Sequence, residues 1–247
     1  MLLRAFLAAL LLITMGCDTN DDDDATLSRD QLTRVRLLPG IHRDSVSLGN
    51  NLIWRYTVAV PNRRAGERVP FVMALHYAGR ITPYFAEDYL KFLVEPALRD
   101  LGAIIVAPDA PGAAWVDPFS VEAVLQFIEA AKAVWPIDPE RVVVTGYSMG
   151  GIGTWFLHDQ HSDVFSAGIP MAAEPIGTQQ GTLPLYVIHG RNDELVDLAP
   201  VELAVEALRT RGVPVELVVV EDRGHYEAFR YVDALRGAVA WLENTVF

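Results

Sequence analysis

Apolar and polar residues change rhythm along this chain at close intervals. "NLIWRYTVAVP" (51–61) alternates between the two and stops at a proline, which predicts a strand. "VPFVMALHYAG" (69–79) and "AIIVAPDAPG" (103–112) are continuous apolar runs ended by glycine and proline, the pattern of strands buried on both faces. Between them, Tyr84, Phe85, Tyr89, Leu90, Leu93, Val94 and Leu98 recur at helical spacing over 84–100. A second helix is predicted over 119–134, with Asp117–Pro118 suited to its start. "RVVVTG" (141–146) is a strand and "GIGTWFLHDQ" (151–160) a helix. Strands follow at 165–173 and 183–190, a helix at 199–212 closed by a glycine, a strand at 214–222 and a final helix at 226–244.

Strands that alternate with helices build an α/β fold: a mostly parallel sheet with helices on both faces. Ligands of such sheets gather at the carboxyl ends of the strands. No internal repeat and no linker is seen after residue 30, so 31–247 reads as one catalytic-sized domain.

Charge and the N-terminus narrow the classes of function. The net charge of −12 argues against a nucleic-acid surface, which needs clustered positive charge. "MLLRAFLAALLLITMGC" has Arg4, an apolar run from Ala5 to Ile13 and small Gly16 before Cys17, the layout of a secretory signal peptide over 1–16. The run is too short to span a bilayer. Cys17 is the only cysteine, so no internal disulfide forms, and "ITMGC" resembles the lipobox of bacterial lipoproteins. That resemblance implies a lipid-modified Cys17 and an exported, membrane-anchored protein at the cell envelope. Residues 17–30 follow as an acidic tether, with five of the 32 carboxylates at Asp18 and Asp21 to Asp24. No metal site is expected there, because glycine and spaced ligands are missing.

The candidate chemistry sits at strand ends. "GYSMG" (146–150) fits G-x-S-x-G between a buried strand and a helix. Such a turn holds Ser148 out from the sheet edge, where it can act as a nucleophile once a base and an orienting acid are supplied. Of six histidines, His42 precedes the sheet, and His158 and His161 lie at the far end of a helix. His76 and His189 read as loop-shaping residues, whereas His225 follows the last strand in a loop able to return over the sheet. Asp193 lies just past a strand and is preferred as the acid over Glu174, while Asp197 reads as a helix cap. Trp115 follows a strand end and reads equally as a wall of the substrate site or a core residue; Trp155 reads as core.

With these residues in the order serine, acid, histidine, the chain resembles the α/β-hydrolase superfamily. "VVVTGYSMGGIGTW", "LHYAG", "HGRNDELV" and "GHY" are similar to its elbow, oxyanion strand, acid loop and histidine loop. Carboxylesterase-like members related to phospholipase/carboxylesterases, feruloyl esterases and predicted peptidases are the nearest in pattern. The resemblance implies a Ser148–Asp193–His225 triad that cleaves carboxylic esters through an acyl-enzyme, with no cofactor. It implies an oxyanion hole from the backbone amides of Met149 and Ala78, although Tyr77 stands where the family usually has glycine. It also implies that the gap at 174–182 is too short for a cap, which leaves an open site lined by Tyr77, Trp115 and Glu174. A small or polymer-borne ester is the expected substrate. A serine peptidase on the same machinery and an inactive surface-binding lipoprotein are the alternatives.

Overall fold

The buried strands are apolar on both sides because both sides are covered. In β3 (Val69–Leu75), Phe71, Met73 and Leu75 enter one hydrophobic core, and Val72 and Ala74 the core on the opposite face. The same split divides Ile104 and Val106 from Ile105 and Ala107 in β4 (Ile104–Pro108). It also divides Val142 and Val144 from Val143 in β5 (Ile137–Tyr147). The first core takes in α4 (Pro118–Val134), whose start is capped by Asp117 accepting from the Ser120 amide. The second takes in α7 (Val232–Trp241) and one long helical segment. That segment runs from α2 (Ala86–Tyr89) through a π turn (Leu90–Val94) into α3 (Glu95–Leu98). A third cluster joins Trp155 of α5 (Met149–Gln160) to Val201, Val205 and Leu208 of α6 (Leu198–Thr210).

The computed structural model describes residues 27–49, 52–178 and 180–247. The signal peptide, Cys17 and most of the acidic tether lie outside the described residues. The remaining strands are β1 (Gly40–Ser47), β2 (Ile53–Val60), β6 (Ala167–Met171), β7 (Leu185–Gly190) and β8 (Val215–Val220). The eight strands form one sheet in the order β1-β2-β4-β3-β5-β6-β7-β8. Pairing is antiparallel at β1–β2 and β2–β4 and parallel from β4 to β8. Chain order reverses at β3, which is flanked by β4 and β5. The crevice above the ends of β3 and β5 is therefore the switch point where α/β sheets bind ligands.

This is the α/β-hydrolase architecture, and among the described residues between β6 and β7 there is no helix to form a cap. Two elements went unread in the sequence: β1 and the five-residue α1 (Arg29–Thr33). One boundary is corrected. The final helix does not begin at 226. Residues 226–227 are turn and loop, Ala228–Tyr231 is a 3₁₀ turn, and α7 starts only at Val232.

Candidate active site

Ser148 stands between the last residue of β5 and the first of α5 with φ 54° and ψ −116°, outside the regions that side chains favour. The sharp reversal explains the flanking glycines. A Cβ on Gly146 would come 2.1 Å from the Gly150 carbonyl oxygen, and one on Gly150 would come 1.8 Å from that of Leu75. The Ser148 amide donates to the Met171 carbonyl at 2.9 Å, which fastens the turn to β6. Strain of this kind persists only where the surroundings dictate it.

Three of the predicted side chains meet in one hydrogen-bonded line. Ser148 Oγ lies 2.8 Å from His225 Nε2. His225 Nδ1 lies 2.9 and 3.0 Å from the two oxygens of Asp193. The Asp193 carboxylate is fully buried and also accepts the amides of Leu195 (3.0 Å) and Val196 (2.8 Å) through Oδ1. With the carboxylate accepting, the proton of His225 sits on Nδ1. Its Nε2 is then free to accept the Ser148 hydroxyl proton. His189, at the end of β7, donates through Nε2 to the Val196 carbonyl (2.8 Å) and so closes the acid loop, as its loop-shaping reading expects.

The histidine loop is held from both sides by residues that the sequence reading missed. Glu194 accepts the backbone amide of His225 at 2.9 Å, and the Tyr147 hydroxyl donates to the His225 carbonyl at 2.6 Å. Burial pushes the Tyr147 phenol well up, so it stays a donor. Tyr147 occupies the first variable position of G-x-S-x-G, and Glu194 directly follows Asp193. Adjacency to the motif was the only sequence signal for either.

A cavity of about 640 Å³ opens beside Ser148 and His225. Its walls are Tyr77, Ala78, Tyr147, Leu195, Tyr226 and Phe229, with the Glu227–Arg230 ion pair (3.0 Å) at its margin. Tyr77 and Ala78 are therefore where the sequence reading put them. Ala78 shares the cavity with Ser148, and Met149 opens α5, in whose first turn amides lack intrahelical partners. Two expected wall residues are elsewhere. Trp115 is buried in the core, and its indole donates to the His76 carbonyl at 2.9 Å beneath the site. Glu174 is exposed beyond β6 and does not line the cavity. The cavity leans toward the histidine loop, and residues 226–230, which precede α7, form that side of it. Among the described residues, no cluster of three or more His, Cys, Asp or Glu is placed to hold a metal ion.

Comparison with known proteins points the same way. An 82-residue stretch is 30% identical to a bifunctional acetylxylan esterase/xylanase from Neocallimastix patriciarum; it is 32% of this chain and 12% of that protein. In fold, the chain is similar to acylaminoacyl peptidase from Pyrococcus horikoshii (TM-score 0.67, 16% identity, 85% of this chain and 42% of that one). It is also similar to esterase 2 of Thermogutta terrifontis, solved phosphoramylated by tabun (TM-score 0.65, 17% identity, 85% and 96%). The model of the dienelactone hydrolase family matches residues 102–236, a span that runs from β4 through the elbow, the acid loop and the histidine loop into α7. By sequence, then, and in keeping with its fold, this chain is a hydrolase that belongs to the dienelactone hydrolase family.

Proposed function

We propose that the protein hydrolyses carboxylic esters through an acyl-enzyme on Ser148. The observation that carries this reading is the unbroken line Ser148–His225–Asp193 at the mouth of an apolar cavity. His225 Nε2 takes the hydroxyl proton as Oγ attacks the ester carbonyl carbon, and the carbonyl electrons move onto its oxygen. The amides of Met149 and Ala78 donate to that oxyanion. When the tetrahedral species collapses, the bond to the alcohol oxygen breaks and His225 returns its proton to the leaving alkoxide. Water then attacks the acyl-enzyme, giving its proton to His225. Collapse releases the carboxylic acid and restores the Ser148 hydroxyl. Asp193 keeps the imidazole in the tautomer this cycle needs and offsets the imidazolium charge.

The cavity supports uncharged substrates of modest size. Four of its walls are aromatic, and its charged margin is a paired Glu227 and Arg230 rather than a lone cation. With no helix between β6 and β7 among the described residues, nothing of that kind must open before an ester carried on a polymer reaches Ser148. A panel of aryl esters of rising chain length, with acetylated sugars and a peptide anilide added, tests this. Simple saturation by soluble short or aromatic esters is expected, with no jump in rate at an oil–water interface. Preference for long-chain lipid esters with interfacial activation, or for the anilide, overturns the reading.

We also propose export and lipid anchoring at Cys17, on the strength of the Ala5–Ile13 apolar run and "ITMGC". The intact mass of the mature protein checks it: a chain beginning at diacylglyceryl-modified Cys17 is expected, and an unmodified cysteine or another cleavage point refutes it.

A further inference from the structure

His76 directly follows β3, is fully buried, and has a partner on each side of its ring. Its Nε2 lies 2.9 Å from the Ala110 amide, which can only donate, so Nε2 accepts and the ring proton sits on Nδ1. Nδ1 lies 2.6 Å from the Tyr77 carbonyl oxygen and therefore donates to it. The ring is boxed edge-on between Phe85 (4.8 Å between centroids) and Trp115 (5.1 Å). The His76 carbonyl is fixed as well, by the indole of Trp115. Burial pushes the imidazole down to about 4, so it remains neutral and keeps this donor–acceptor pattern at neutral pH.

The Tyr77 carbonyl and the Ala78 amide belong to the same peptide unit, and no cis peptide bond occurs among the described residues. In a trans peptide the C=O and N–H point in opposite directions. Holding the Tyr77 oxygen toward the buried ring turns the Ala78 N–H away from it, to the side where Ala78 shares a cavity with Ser148. The Tyr77 ring, packed edge-on against Phe85, Tyr89 and Tyr147, steadies the same residue from outside. An amide aimed in advance stabilises a developing oxyanion without reorganising during the reaction.

We propose that His76 is a positioning residue of the reaction: its Nδ1–H fixes the plane of the Tyr77–Ala78 peptide and so aims the Ala78 amide at the oxyanion formed on Ser148. This rests on the ester-hydrolase reading above. It gives Trp115 and His76, neither of which lines the cavity, a place in one buried support for the oxyanion hole.

Two isosteric substitutions separate aiming from mere packing. His76→Asn puts an amide N–H where Nδ1 was and keeps the bond to Tyr77. His76→Gln puts its amide where Nε2 was, which keeps the Ala110 contact and drops the bond to Tyr77. With a soluble aryl acetate, His76→Gln is expected to lower kcat ~10- to 100-fold while KM stays within about twofold, and His76→Asn to keep most of kcat. Affinity for a trifluoromethyl ketone, which forms the oxyanion adduct, should fall in step with kcat. Both variants lose one buried hydrogen bond, so similar losses of thermal stability are expected. Equal kcat losses in the two variants, or an unchanged kcat in His76→Gln, overturn the proposal. Nitrogen NMR of the wild-type imidazole is decisive without any substitution. A His76 proton on Nδ1 at neutral pH supports the proposal, and one on Nε2 defeats it. A wild-type protein that cleaves no ester brings down both readings, whereas an active wild type matched by His76→Gln brings down this one alone.

Discussion

Ser148→Ala is expected to lower ester turnover by ~10⁴- to 10⁶-fold and to leave the protein folded. The substitution removes only Oγ, whose one described partner is His225. The backbone keeps its bond to Met171 and its φ of 54°, because alanine carries the same Cβ as serine. Ser148→Gly sharpens the test. Glycine adopts this conformation without strain, so it should be more stable than the alanine variant by about 1 kcal/mol while equally inactive. Asp193→Asn should lower kcat by ~10⁴-fold for a different reason. The amides of Leu195 and Val196 hold an oxygen at Oδ1, so the asparagine NH₂ must face His225. The imidazole proton then moves to Nε2, where it donates to Ser148 instead of accepting from it. Glu174→Gln serves as the control, because Glu174 lies off the cavity, and its activity should match wild type. Steady-state kinetics with denaturant midpoints on the four variants check all of this. Loss of turnover in Glu174→Gln with retention in Asp193→Asn would reverse the assignment of the acid.

The parts of the fold legible in the sequence were those whose physics is local. β3, β4 and the Val142–Val144 stretch of β5 announce themselves because burial on both faces selects apolar residues at successive positions. The line Ser148, Asp193, His225 was legible because each residue follows a strand end. β1 was not: Val46 is its one buried residue, and an edge strand gains its place by backbone pairing with β2 rather than by apolar pattern. The stretch from Tyr226 to Tyr231 misled because aromatic residues at 226, 229 and 231 suit a helix as well as a loop. Only Tyr231 turned out to be buried, and Tyr226 and Phe229 line the cavity. Trp115 reads both as wall and as core, and what decides for the core is contained in no local pattern. Its indole needs a buried acceptor, and that acceptor is the carbonyl of His76, 39 positions away. The same distance hid His76 itself, since its partners come from two different strand ends.

The fold is expected to lose stability as pH falls from about 6.5 toward 4, before the carboxylates as a class are protonated. Two imidazoles are responsible. Burial pushes both His76 and His158 down to about 4 from the ordinary 6.5. Between those values the unfolded chain binds protons at both positions and the folded chain does not, so stability rises with pH across the window and falls on acidification. Each imidazole should remove on the order of 3 kcal/mol by pH 4, since one pKa unit corresponds to about 1.4 kcal/mol. Together they rival the total stability of an ordinary domain. His158 is the harsher case. Neither of its ring nitrogens has a hydrogen-bond partner among the described residues, so a proton taken up there would leave a charge in the core beside Trp155 with no acceptor. Asp159 favours that proton and Arg211 opposes it, both as secondary influences. Asp109 works against the trend: burial raises its carboxyl, so it takes up a proton in the folded state sooner than in the unfolded chain. One carboxyl still held by the amides of Tyr84 and Ala86 offsets part of the loss, not the effect of two imidazoles. Urea midpoints measured at intervals from pH 7 to pH 4 should fall steadily. His158→Leu should flatten the slope by about half, because it removes one of the two titrating groups and no hydrogen bond of that ring. A midpoint independent of pH over this range, or an unchanged slope in His158→Leu, would mean that acid reaches these rings through a change in the fold rather than against its stability.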